Sequence, residues 1–104
     1  MIGRPGLVTE ADVWTSDACL GPGYGLPAQD TLAVIKLVAR SEGLLLDPVY
    51  SGKAMAGLIG LIRDGTLPRG STAVFLHTGG TPALFAYGSL FLESATSAAG
   101  NGPT

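Results

Sequence analysis

Two short segments do most to constrain what this chain of 104 residues can fold into. Leu46-Asp47-Pro48-Val49-Tyr50-Ser51-Gly52-Lys53 and, further along, Phe75-Leu76-His77-Thr78-Gly79-Gly80 each set a polar, glycine-containing turn directly after an apolar run and directly before a helical pattern. Turns of this kind, at the tip of a strand and the start of a helix, are where α/β proteins build small-molecule sites. The expectation is a cofactor pocket of which this chain supplies one part.

The second constraint is hydropathy. Only 13% of the residues are charged, against about 25% in ordinary soluble domains, and the mean hydropathy is +0.38. A small domain exposes proportionally more surface than a large one and needs more polar cover. The excess of apolar residues therefore points to segments buried on both faces and to a piece of a larger core. Charge excludes other classes: a net −2 with scattered signs offers no basic stripe for a nucleic-acid backbone. No apolar stretch approaches the roughly 18 residues of a membrane span, and the first residues do not resemble a secretory signal. A cytoplasmic location, with no nucleic acid and no membrane, is the expectation. The single cysteine, Cys19, and the single histidine, His77, make no zinc set. Cys19 reads as a buried structural thiol and His77 as a structural residue, because nothing around it forms a base or metal constellation.

Along the chain, strand-like and helix-like patterns alternate. Residues 12–15 form a short candidate strand, followed by the glycine- and proline-rich loop Leu20 to Pro27. Leu32, Ile35, Val38 and Ala39 recur at helical spacing, which predicts a helix over 31–42 with Asp30 or Thr31 as N-cap and Gly43 as its end. Residues 44–47 read as a buried strand stopped by Pro48. Met55, Leu58, Ile59 and Ile62 predict the buried face of a second helix closed by Gly65, while Ala54, Ala56, Gly57 and Gly60 offer small surfaces for close approach. Residues 72–77 read as a central parallel strand, and Thr81 with Pro82 predicts a short helix from Pro82 to Tyr87. Residues 93–104 are small and polar and predict a disordered tail. Ser51-Gly52-Lys53-Ala54 lacks the flanking residues of a nucleotide-binding phosphate loop.

Taken together, Gly21-Pro22-Gly23-Tyr24-Gly25-Leu26-Pro27, Ala39-Arg40-Ser41-Glu42-Gly43, Asp47-Pro48-Val49-Tyr50-Ser51-Gly52-Lys53-Ala54, His77-Thr78-Gly79-Gly80 and Pro82-Ala83-Leu84-Phe85-Ala86-Tyr87 resemble the C-terminal part of a known family. That family comprises the D-cysteine desulfhydrases and 1-aminocyclopropane-1-carboxylate deaminases, among the fold-type-II, tryptophan-synthase-β-like pyridoxal 5′-phosphate enzymes. The resemblance covers residues 10 to 92.

The resemblance implies roles. Tyr24 and Tyr50 match two catalytic tyrosines on the substrate side of the cofactor, where a phenol binds the carboxylate or helps move a proton. Ser51 matches a position beside the cofactor ring. Thr78 matches the residue facing the pyridine nitrogen, and Gly79 lets the backbone lie close to the ring. The deaminases carry Glu where Ser51 stands and an apolar residue where Thr78 stands, so the resemblance favours the desulfhydrase branch: D-cysteine converted to pyruvate, ammonia and sulfide. A threonine opposite the ring nitrogen donates to an unprotonated nitrogen and leaves a weaker electron sink than a carboxylate would, and elimination of a good leaving group tolerates that.

The family also needs an N-terminal lysine bound covalently to the cofactor, a Ser-Asn pair and a glycine-rich phosphate cup, and none of these stands in this sequence. Lys36 falls within the first helix, and Lys53 matches a family lysine that is not the cofactor-linked one. The expectation is a partial three-layer α/β unit with a parallel sheet over 1–92, inactive and unable to hold the cofactor alone. It would work on a small amino acid only when joined to an N-terminal segment, as a homodimer when complete. A cyclopropane-amino-acid deaminase and a non-catalytic remnant or interaction module are the alternatives. The unpaired edges predict an apolar patch around Phe75, Leu76 and the stripe from Met55 to Ile62.

Overall fold

A computed structural model of the chain describes residues 3, 5–21, 23 and 28–92. Tyr24 with most of its loop, and the predicted tail at 93–104, lie outside the described residues.

Helix α1 runs over Gln29–Glu42, starting before the predicted residue 31. The Leu32 amide already reaches the Ala28 carbonyl at 3.1 Å, so Ala28 is the N-cap and neither Asp30 nor Thr31 caps. Thr31 is buried instead. At the other end Gly43 adopts φ 67 and returns its amide to Ala39, a left-handed closure that favours a residue without Cβ.

Helix α2 spans Ser51–Arg63 and is followed by Gly65 at φ 84. It packs on α1 through its smallest residues. A Cβ on Gly52 would sit 2.8 Å from the Ile35 Cδ1 atom, and Ala56, one turn on, is buried against the same helix in a core of Val34, Ile35, Val38 and Leu46. This rotates the contact away from the predicted stripe. Met55 and Ile59 still pack against the core, whereas Leu58 turns to a cavity and Ile62 is exposed.

The predicted strand at 12–15 is not formed. A 3₁₀ turn covers Glu10–Asp12, because the Thr9 amide and hydroxyl both donate to the Asp12 carboxylate, at 2.9 and 3.0 Å. These local bonds compete successfully with extended backbone, and they hold the Asp12 carboxyl below its usual range.

Residues 44–47 and 72–77 carry no strand ladder. Among the described residues, β pairing is limited to an isolated bridge at Gly23, so the expected parallel sheet is not formed among them. A strand exists only through a neighbour, and here the Leu45 carbonyl faces the His77 ring at 3.0 Å and the Thr81 hydroxyl at 3.4 Å. Phe75 packs inward on the α1–α2 core, while Val74 and Leu76 are 92% and 79% exposed. Of the residues predicted to form an apolar patch, Leu76 and Ile62 are exposed, whereas Met55, Ile59 and Phe75 pack against the core.

Helix α3, Ala83–Ala86, is shorter than predicted, with Pro82 as its N-cap, since the Thr81 hydroxyl that was to cap it turns to Leu45. Helical backbone resumes at 88–92, where the Lys36 ammonium lies 6.0 Å from the centre of the Phe91 ring. No helix among the described residues is long and apolar enough to cross a membrane, and none of their His, Cys, Asp and Glu side chains cluster to hold a metal ion.

Candidate functional site

The site is built on one buried carboxylate. Pro48 keeps Asp47 out of helical geometry, which leaves the Asp47 side chain free to fold over the start of α2. Its Oδ2 accepts the amides of Val49 and Tyr50 at 2.8 and 2.7 Å. Its Oδ1 accepts the Ser51 amide at 3.0 Å and the Ser51 hydroxyl at 2.6 Å, and the Asp47 amide donates back to that hydroxyl at 2.9 Å. The first amides of a helix have no partner within it, and here one carboxylate supplies it. Burial pushes the Asp47 carboxyl up, but the bonds from the Ser51 hydroxyl and from the Ser51, Tyr50 and Val49 amides outweigh it and leave the group below the ordinary aspartate range. Sequence reasoning missed this role; the signal was an aspartate a few residues ahead of an apolar helix with a serine at its first position.

The second turn lies over the first. Gly79 and Gly80 both take positive φ, 102 and 88. A Cβ on Gly80 would come within 2.7 Å of the Asp47 Oδ1 atom, so only glycine lets this turn settle on the carboxylate. The Gly79 amide donates to His77 Nδ1 at 3.1 Å.

Between the two turns and the flank of α2 opens a cavity of about 690 Å³ whose wall includes Tyr50, Ser51 and Thr78, with Leu58, Leu61 and Phe75 as an apolar side. Of the five residues singled out from sequence, the structure brings these three to one cavity. Gly79 follows Thr78 in the turn, and Tyr24 lies outside the described residues. Tyr50 is half exposed, whereas Ser51 is buried with its hydroxyl engaged by Asp47. Lys53 also reaches the wall, and its ammonium donates to the Gly23 carbonyl at 3.3 Å. The free thiol of Cys19 is half buried and packs against the core.

A phenol and two hydroxyls beside apolar carbons on one cavity wall are groups that suit one side of a flat heteroaromatic ring.

Comparison with known proteins agrees with this chemistry. A family described as pyridoxal-phosphate dependent enzyme matches residues 2–79. The 1-aminocyclopropane-1-carboxylate deaminase of Burkholderia ambifaria is 50% identical over 90 residues, 86% of this chain and 26% of that protein. The deaminase of the same name from Ralstonia nicotianae is 51% identical over 84 residues, covering 81% of this chain and 25% of its own. That of Burkholderia vietnamiensis is 48% identical over 92 residues, covering 88% and 27%. The chain thus spans about a quarter of the length of the curated relatives it matches. With the family matched over most of its length, this chain belongs to the pyridoxal-phosphate-dependent enzymes.

Proposed function

We propose that this chain is the C-terminal portion of a pyridoxal-phosphate-dependent lyase acting on a small amino acid, with 1-aminocyclopropane-1-carboxylate as its first candidate substrate. The observation that carries the reading is near-half identity to deaminases of that name across most of the chain. The cavity shared by Tyr50, Ser51 and Thr78 supports it. The reaction adds water to the cyclopropane amino acid and releases 2-oxobutanoate and ammonia.

When bound, pyridoxal phosphate supplies an electron-withdrawing ring that accepts the electron pair released as bonds at the amino acid's reacting carbons break. In this reading the Tyr50 phenol donates a hydrogen bond to the substrate carboxylate or holds a proton near the reacting carbon. With the cofactor bound, Thr78 would donate its hydroxyl hydrogen to the pyridine nitrogen, and Gly79 would leave room for the ring. Ser51 acts through Asp47: its hydroxyl fixes the peptide that carries Tyr50. Tyr24 is the second phenol. The remainder of the enzyme supplies the cofactor-linked lysine and the phosphate cup, residues 44–47 and 72–77 enter its parallel sheet, and the assembled enzyme is a dimer.

Ser51 and Thr78 themselves favour a second reading. The resemblance puts glutamate and an apolar residue at these places in the deaminases, and a serine and a threonine suit β-elimination from D-cysteine, which takes up water and releases pyruvate, sulfide and ammonia. The test is an enzyme carrying this segment, assayed with each amino acid. Formation of 2-oxobutanoate upholds the first reading. Sulfide with pyruvate, and no 2-oxobutanoate, replaces it with the second. Turnover of neither makes the chain a remnant of the fold.

A further inference from the structure

The sequence marks His77 as structural, and the structure gives it a more specific task. Its Nε2 lies 3.0 Å from the Leu45 carbonyl oxygen, and its Nδ1 lies 3.1 Å from the Gly79 amide nitrogen. A carbonyl only accepts and a backbone amide only donates. Both contacts are hydrogen bonds in one state of the ring alone: neutral, with the proton on Nε2, a tautomer assigned from its partners.

The two ends of this link are not equivalent. The Leu45 carbonyl has a second donor, the Thr81 hydroxyl at 3.4 Å, so that end is tethered twice. The Gly79 end depends on the ring, and Gly79 holds a left-handed φ of 102 with open space around it.

We propose that His77 is the positioning residue for the Thr78–Gly80 turn: its Nε2-protonated ring ties Gly79 to the carbonyl of Leu45 and so keeps Thr78 on the wall of the cavity. The catalytic meaning of that clamp rests on the proposed function above; the clamp itself does not. The Asp47 carboxylate lies beneath the same turn at Gly80.

The clamp separates two conservative replacements. An asparagine side chain presents its carbonyl oxygen where Nδ1 stands, and a glutamine presents its amide hydrogens where Nε2 stands. His77→Asn retains the acceptor for Gly79 and His77→Gln does not.

The test is nitrogen-15 NMR of the full chain at neutral pH, with amide exchange of Gly79 in the wild type and the variants. The expected result is a ring spectrum of the neutral Nε2–H form, Gly79 exchange unchanged in His77→Asn, and exchange about fivefold faster in His77→Gln and His77→Ala. An Nδ1–H or doubly protonated ring overturns the proposal without any variant. So does Gly79 exchange that is equal across all three variants, or that is restored by Gln and not by Asn. In an enzyme carrying the segment, His77→Gln should alter the cofactor absorption band. If the NMR pattern holds and that band does not move, the clamp stands and the functional reading fails.

Discussion

The two turns that frame the cavity have the same placement in the sequence, apolar run before and helix after, yet they are held in opposite ways. The Asp47–Ser51 turn is buried and collects four hydrogen bonds on one carboxylate. The Thr78–Gly80 turn is exposed and is held by the His77 ring, the Thr81 hydroxyl, the Ala83 amide on the Gly80 carbonyl and the absence of a Cβ. The first is a scaffold whose polar groups are occupied with one another. The second leaves its threonine on the cavity wall. Both turns reach the cavity, the first through Tyr50 and the second through Thr78, so the pair differs in how each turn is held, with the exposed one resting on fewer buried bonds.

Breaking the scaffold side should have the largest effect. Asp47→Ala strips partners from three backbone amides and a hydroxyl at once, and we expect a loss of about 3 kcal/mol in urea unfolding of the chain. The same group contributes to the acid limb. Its folded value lies below the ordinary aspartate value, so its contribution is complete above that value, about 3.9, and disappears as pH falls through the lower folded value. Unfolding free energy of the wild type should therefore fall below about pH 4, and the part due to Asp47 should be missing from the Asp47→Ala profile.

On the cavity side the readout is turnover. Tyr50→Phe in an enzyme carrying this segment keeps the ring and removes the phenol hydroxyl, and kcat should drop about a hundredfold. Unchanged kcat would remove Tyr50 from the chemistry.

The two glycines sharpen the comparison at smaller scale. Gly80→Ala must both strain a positive φ and push against Asp47, and should cost about 2 kcal/mol. Gly79→Ala meets only the strain, with open space around it, and should cost about 1 kcal/mol. Equal losses in thermal or urea unfolding would show that the turn does not rest on the carboxylate.

How much of this was legible follows from which signals are local. The helices α1 and α2 and the glycine that ends each could be read from periodicity and from Gly43 and Gly65, because a helix satisfies its own backbone. The strands could not, because a strand at 72–77 is defined by a neighbour, and none among the described residues pairs with it. The face of α2 was misjudged because large residues were weighted, whereas Gly52 and Ala56 set the closest approach to α1. In the site, Tyr50, Ser51 and Thr78 were found through a family resemblance. Asp47 and His77, whose roles depend on which amides they meet in space, emerged only from the coordinates.

The most direct test of the division between the turns is to unfold Ser51→Ala and Thr78→Val side by side in the full chain. Ser51→Ala should lose about 1 kcal/mol with its bond to Asp47, and Thr78→Val should stay within about 0.5 kcal/mol of wild type. Equal losses, or a larger one at Thr78, would contradict the assignment of a buried, hydrogen-bonded scaffold to Asp47 and Ser51 and of an exposed wall position to Thr78.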